Sequence, residues 1–159
     1  MLTSDTHLPK KGEELPGQLL KECGTADMII HAGDWSSIGV YHTLSKYSEV
    51  KGVYGNVDSD DIKERFPEKD ILEAKRYKIG IIHGHGEKKT TEKRVLEAFK
   101  DEARDIIVFG HSHIPMVRYF KKTLLFNPGS PTEKRALPFY SFGLLHLNDE
   151  IRSEIVYFK

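Results

Sequence analysis

Apolar positions along the chain switch repeatedly between helical and alternating spacing, which predicts helices interleaved with strands. Leu15, Leu19 and Cys23 recur at helical spacing, and Pro16 suits the first turn of that helix, where its missing N–H is not needed. Met28 to Ile30 follows as a short buried strand. Ser36 or Ser37 can cap a second helix carrying Val40, Leu44 and Tyr47, after which Val50 to Tyr54 reads as the next strand. Ser59 with Asp60 and Asp61 opens a third, short helix that Pro67 stops. Ile71 to Lys75 and Ile79 to His83 form a hairpin pattern turned at Arg76 to Lys78, and Thr91 can cap a helix presenting Val95, Phe99 and Ala103. Ile106 to Phe109 is a continuous apolar strand.

From Ile114 onward the helical period is absent. Lys121-Lys122 and Asn148-Asp149 each lie between apolar β-type runs as turn candidates, so the last third should be mostly antiparallel sheet. Its apolar face needs cover, and the first sheet is the natural partner. The expected fold class is therefore α/β, with two stacked mixed sheets flanked by helices. Only Met1 to Ser4 precede Asp5, whereas a core strand usually runs about 5 to 6 residues. A natural N-terminus a few residues longer is the corresponding expectation.

Composition narrows the picture without changing it. With 159 residues, 38% of them apolar, the chain can build one sizeable core, and residues 1–159 are expected to form a single domain. The 24 basic and 24 acidic side chains cancel, so no global field recruits a polyanion such as nucleic acid. The lone Cys23 cannot form an internal disulfide and reads as a small buried helix residue. No apolar run approaches the ~18 residues of a membrane span, and the first residues lack the pattern of a secretory signal. A cytoplasmic protein with no membrane partner is expected, and a homo-oligomer is left open.

The chemistry lies in five polar motifs that each follow a strand directly: Asp5-Thr6-His7, Gly33-Asp34, Gly55-Asn56, His83-Gly84-His85 and Gly110-His111-Ser112-His113. In open α/β sheets the carboxyl ends of strands are where loops distant in sequence converge on a ligand. Gly33 and Gly55 come just before candidate ligands, where a permissive backbone lets the chain turn sharply. Gly-Asn and Gly-Asp dipeptides alone are ordinary turns. Chance gives Gly-His-x-His roughly 0.03 occurrences at this composition, so that motif carries more weight.

The ordered set, with the later Asn127-Pro128-Gly129-Ser130, resembles the calcineurin-like metallophosphoesterase superfamily, and within it the YfcE-type phosphodiesterase branch. The resemblance spans nearly the whole chain and implies a four-layer αββα fold. It also implies one metal held by Asp5, His7, Asp34 and His113 and a second held by Asp34, Asn56, His83 and His111, with Asp34 bridging both. Mixed imidazole and carboxylate donors suit Mn, Fe, Co, Ni or Zn better than Mg or Ca, and two divalent ions, Mn first, are the expected cofactors. Two such ions bring +4; Asp5 and Asp34 remove 2 and a bridging hydroxide 1, leaving about +1 to attract a phosphoryl anion. That hydroxide is the implied nucleophile, since a metal can lower the pKa of bound water from 15.7 to about 7. Asn56 would bind and polarise the substrate phosphoryl oxygens. Because the histidine ligands must be neutral, activity is expected to collapse as pH falls through about 6.

Two family features are missing. Many phosphatases of the superfamily carry histidine after the metal-binding asparagine, and an Asp-Arg pair after Gly-Asp. Here the strings are Gly55-Asn56-Val57-Asp58 and Gly33-Asp34-Trp35-Ser36-Ser37. The leaving-group acid then falls to His85 or Asp58, each of which could instead hydrogen-bond to a ligand residue. Arg135 is the expected anion anchor; Lys10-Lys11, Lys88-Lys89 and Lys121-Lys122 read as solvated faces, of which any near a site loop could meet a substrate phosphate. His31 reads as a packing residue behind Asp34, and His42 and His146 have no partner pattern. The expected activity is cleavage of a small phosphodiester. A non-catalytic protein-binding scaffold, as in the retromer subunit resembling this family, is the alternative. A nuclease or nucleotide phosphatase of the same superfamily is the lesser one.

Overall fold

Each apolar run marked as a strand is paired in the computed structural model, which describes residues 1–159. The elements run β1 (Leu2–Thr3), α1 (Gly17–Cys23), β2 (Met28–His31), α2 (Ile38–Leu44), β3 (Glu49–Gly52), α3 (Asp60–Arg65), β4 (Lys69–Ala74), β5 (Tyr77–Ile82), α4 (Thr91–Ala98), β6 (Ile106–Val108), β7 (Met116–Phe120), β8 (Thr123–Asn127), β9 (Tyr140–Leu147) and β10 (Ile151–Phe158). They form two 5-stranded sheets, ordered β10-β9-β1-β2-β3 and β4-β5-β6-β8-β7. No helix is long and apolar enough to cross a membrane.

The layers follow from the two-residue period of strand side chains. Ile30, Ile106, Val108, Leu124 and Phe126 point between the sheets with Leu2, Ile79 and Ile81. Their neighbours point the other way. Ile29 and Phe142 meet Leu19 and Cys23 of α1, Val40 and Leu44 of α2 and Ile62 of α3. Ile107 and Leu125 meet Val95 of α4 and the following Phe99. Helices therefore cover both outer faces, and each fully buried aliphatic side chain contributes about 1.5–3 kcal/mol.

The C-terminal third departs from expectation. Its two hairpins do not form one sheet packed on the first; they are shared out between the sheets. β8 lies parallel to β6, with Leu124, Leu125 and Phe126 opposite Ile106, Ile107 and Val108. β9 lies antiparallel to β1 and seals the other sheet, with Leu2 opposite Gly143. Local details also differ. Pro16 sits at the N-cap of α1 rather than in its first turn. Tyr47 lies beyond α2 and is 42% exposed. Thr90, not Thr91, caps α4, accepting from Lys93 N at 3.3 Å, and Ala103 lies past that helix. The β4–β5 turn is the tight pair Lys75-Arg76, with Ala74 opposite Tyr77.

Candidate metal centre

The five motifs converge beyond the carboxyl ends of β1, β2, β3, β5 and β6, and the backbone there is held in an uncommon state. Asp5, His7, Asp34, His111 and His113 all have left-handed φ, at 55°, 48°, 58°, 68° and 58°. Non-glycine residues visit that region at a cost and cluster where function over-determines them. The surrounding hydrogen bonds do that work. Asp5 N donates to Gly33 O at 2.9 Å and His7 N to Asp34 O at 3.1 Å, tying the first motif to the second. His111 N donates to Asp5 Oδ2 at 3.0 Å, bringing in the last motif from across the fold.

Two clusters of donor atoms result, Asp5 with His7 and His113, and Asp34 with His83 and His111. Asp34 Oδ2 faces both, 3.2 Å from His83 Nε2 and 3.7 Å from His7 Nε2. His83 Nδ1 pairs with Ala32 O at 2.8 Å and His113 Nδ1 with Glu133 O at 2.7 Å. A carbonyl can only accept, so each ring donates from Nδ1 and points Nε2 into the site, where it can ligate once deprotonated. His7 Nε2 and His113 Nε2 lie 3.2 Å apart. Buried His83 Nε2 forms no regular hydrogen bond and faces the Asp34 carboxylate as a charge pair at 3.2 Å. Such a buried nitrogen beside carboxylates fits a site built for cations.

Electrostatics of the metal-free site point the same way. Burial alone would raise the Asp34 carboxyl, but His83, the Val57 N–H and His7 outweigh it and hold it at about 2. Burial disfavours a charged His83, yet the Asp34 and Asp5 carboxylates raise it to about 9. His111 is pushed down to about 4 by burial and then by the charge on His83. His7 is lowered chiefly by burial.

The remaining candidates separate by their contacts. Asn56 is exposed and makes no side-chain hydrogen bond; its neighbours' amides anchor the loop, Gly55 N to Asp58 and Val57 N to Asp34. Gly33 has φ 93°, as its turn requires, but Gly55 is needed for space: a Cβ there would strike Asp34 Oδ1 and the Asp34 amide. His85 lies with its ring centroid 5.6 Å from His83 and 6.5 Å from His111, and burial followed by His83 lowers its pKa. Arg135 is exposed and forms no ion pair.

Asp58 makes the contacts expected of the hydrogen-bonding alternative to a leaving-group acid. Its carboxylate is buried and takes three main-chain donors, Asp34 N at 3.0 Å, Ser36 N at 2.7 Å and Gly55 N at 2.7 Å. With both oxygens occupied it braces the Asp34 turn, while burial raises its carboxyl above the ordinary carboxylate range. Asp58→Ala strands buried donors that cost about 1–3 kcal/mol each when unmet, so denaturant unfolding should show a loss of at least about 3 kcal/mol. His31 is a packing residue. Its Nδ1 accepts from Gly33 N at 3.2 Å and its ring stacks on Trp35 with centroids 3.6 Å apart.

Several contributors carry no motif. Ser130 Oγ donates to Asp5 O at 2.7 Å, and Asn127 Nδ2 donates to Gly110 O at 2.9 Å, so the Asn-Pro-Gly-Ser loop pins two of the site loops. Arg94 spends its donors on Gly84 O, Lys88 O, Lys89 O and Thr91 Oγ1, fixing the segment that carries His85. Glu133 Oε2 stands 3.7 Å from His7 Nε2, with Oε1 paired to Lys11 at 2.7 Å. Only the Asn-Pro-Gly-Ser string was visible in the sequence; Arg94 and Glu133 matter solely through contacts remote in the chain.

The family model of the calcineurin-like phosphoesterase superfamily domain matches residues 1–150. A probable metallophosphoesterase of Methanocaldococcus jannaschii is 34% identical over 154 residues, 96% of this chain and 78% of that protein. A phosphodiesterase of the same organism is 28% identical over 116 residues, 65% of this chain and 66% of that protein. Among solved structures, wild-type Vps29 of Entamoeba histolytica complexed with zinc has a TM-score of 0.76 over 99% of this chain and 98% of that chain. Its identity of 22% makes that likeness one of fold alone.

Proposed function

The chain belongs to the calcineurin-like phosphoesterase superfamily, and from that premise we propose that it hydrolyses small phosphodiesters at a two-ion centre built from Asp5, His7, Asp34, Asn56, His83, His111 and His113. The observation that carries the proposal is the shared oxygen: Asp34 Oδ2 faces both donor clusters, one of which has His83 aimed inward without a regular hydrogen bond. When bound, two divalent ions, Mn first among the candidates, would supply Lewis acidity and an acidified water.

The chain's own residues then have distinct tasks. Ala32 O and Glu133 O keep His83 and His113 in the tautomer whose Nε2 lone pair faces the site. Asp58 and the Val57 amide hold the Asp34 turn rigid. The exposed Asn56 amide is free to hold a phosphoryl oxygen as charge develops on it. His85 is kept neutral by its surroundings, so it can offer a hydrogen bond to the departing oxygen more readily than a full proton. Diesters of acidic alcohols should accordingly react faster than those of simple alkyl alcohols.

The test is hydrolysis of bis(p-nitrophenyl) phosphate by the Mn-reconstituted protein against a chelator-stripped control. Mn-dependent release of p-nitrophenol, faster than from p-nitrophenyl phosphate, is expected. Retained metal below about half an equivalent, with no activity on reconstitution, would sink the hydrolase reading and support a protein-binding scaffold. The named phosphodiesterase relative favours the enzyme.

A further inference from the structure

The proposed centre has an excess of carboxylates at its His7 edge. His7 Nε2 lies 3.7 Å from Asp34 Oδ2, 3.9 Å from Asp5 Oδ1 and 3.7 Å from Glu133 Oε2. Asp5 and Asp34 would be offset by the ions they hold, which leaves Glu133 as the one carboxylate there that an arriving phosphoryl group meets without a metal to offset it. Arg94 is committed to backbone carbonyls, and Arg135 has no contact with the carboxylates of the site. Lys11 does reach them. Its N–H donates to His7 O at 3.0 Å, so it lies one turn after a candidate ligand, and its Nζ pairs with Glu133 Oε1 at 2.7 Å.

The pair is well placed to open. Glu133 is fixed, its N–H donating to Ser130 Oγ at 2.8 Å and its carbonyl held by His113 Nδ1 at 2.7 Å. Lys11 is not: its side chain is 47% exposed and borders a surface hollow of about 380 Å³. An ion pair this exposed contributes little stability, so an arriving anion can compete for the lysine. The ammonium is a compact charge on a flexible stem with three donors, able to turn from a carboxylate to a phosphoryl oxygen a short distance away.

We propose that Lys11 is the anion anchor of the site, held in reserve by Glu133 until a substrate phosphoryl oxygen displaces that carboxylate. This rests on the phosphodiesterase reading and assigns the substrate contact to Lys11 rather than to Arg135. It also makes an unusual demand: the two members of one ion pair should act in opposite directions. Lys11→Ala removes the anchor, whereas Glu133→Gln removes its competitor.

The experiment compares wild type, Lys11→Ala, Lys11→Arg and Glu133→Gln in two measurements. The first is steady-state hydrolysis of bis(p-nitrophenyl) phosphate with saturating Mn. The second is calorimetric titration of the Mn-loaded protein with inorganic phosphate, which needs no turnover. Lys11→Ala should raise KM and the phosphate Kd about tenfold, the loss of one charge-assisted contact. Lys11→Arg should restore most of the affinity, and Glu133→Gln should lower both constants. If Lys11→Ala and Glu133→Gln shift both constants the same way, or neither shifts them, the pair is a mere brace between loops and the proposal is overturned. Absence of hydrolysis in every protein would instead overturn the enzymatic reading, with the phosphate titration still deciding the role of Lys11.

Discussion

Asp34→Asn should reduce kcat/KM for bis(p-nitrophenyl) phosphate by about 1000-fold at saturating Mn. Asparagine keeps a carbonyl oxygen for the Val57 N–H, so the turn at residue 34 should still form. What it replaces is Oδ2, the atom facing both His83 and His7, with an NH2 group that cannot ligate. Each ion loses an anionic ligand at the same time, and several kcal/mol of transition-state stabilisation corresponds to about three decades in rate. His111→Ala touches one cluster and should cost less. Residual activity above about a tenth of wild type in Asp34→Asn, with metal still bound, would mean that the shared oxygen is not what joins the two ions.

The second large effect is on pH. In the metal-free protein His83 keeps its proton up to about 9, whereas His111 is already neutral above about 4. Of these two rings, only His83 must give up a proton to a cation throughout the neutral range. Apparent Mn affinity should rise about tenfold per pH unit between pH 7 and 8 and level off above about 9. This moves the expected limit upward from the value near 6 suggested by unperturbed histidines, because the two carboxylates hold the ring charged. Stability of the metal-free protein should run the opposite way. The folded value lies above the reference of 6.5, so this group's stabilisation of about 3 kcal/mol is complete below 6.5 and lost as pH rises through about 9. Calorimetric Mn titrations from pH 6.5 to 9 read the first trend and thermal melts in chelator the second. A flat affinity across that window would show that His83 is neutral before metal arrives.

Much of this site was legible because each motif follows a strand that announces itself by composition. Met28 to Ile30 and Ile106 to Phe109 are apolar runs too short to be helices, and the polar residues after them had to lie at strand ends. The partner of each strand was not legible. The period of Leu124-Leu125-Phe126 says which residues share a face but not that β6 is the neighbour, so the division of the last two hairpins between the sheets was hidden. The same limit applies to side chains. Gly55-Asn56-Val57-Asp58 advertises a carboxylate at position 58, and only the folded turn shows that Asp34, Ser36 and Gly55 amides consume it. The pairing of Lys11 with Glu133 had no signal, since it joins loops that are adjacent only after folding.

The distribution of the hairpins has a consequence for biosynthesis. The second sheet is one continuous stretch of chain, β4 through β8, and can pair as it leaves the ribosome. The first cannot. One of the two neighbours of β1 is β9, remote from it in the chain, and Asp5 waits for Ser130 to hold its carbonyl. A nascent chain that stops short of residue 130 already contains every candidate ligand, but not the loop that fixes them. Such non-local pairing is slow to form. A metal centre of the proposed kind should therefore become competent only once β9 has paired with β1 and Ser130 holds Asp5.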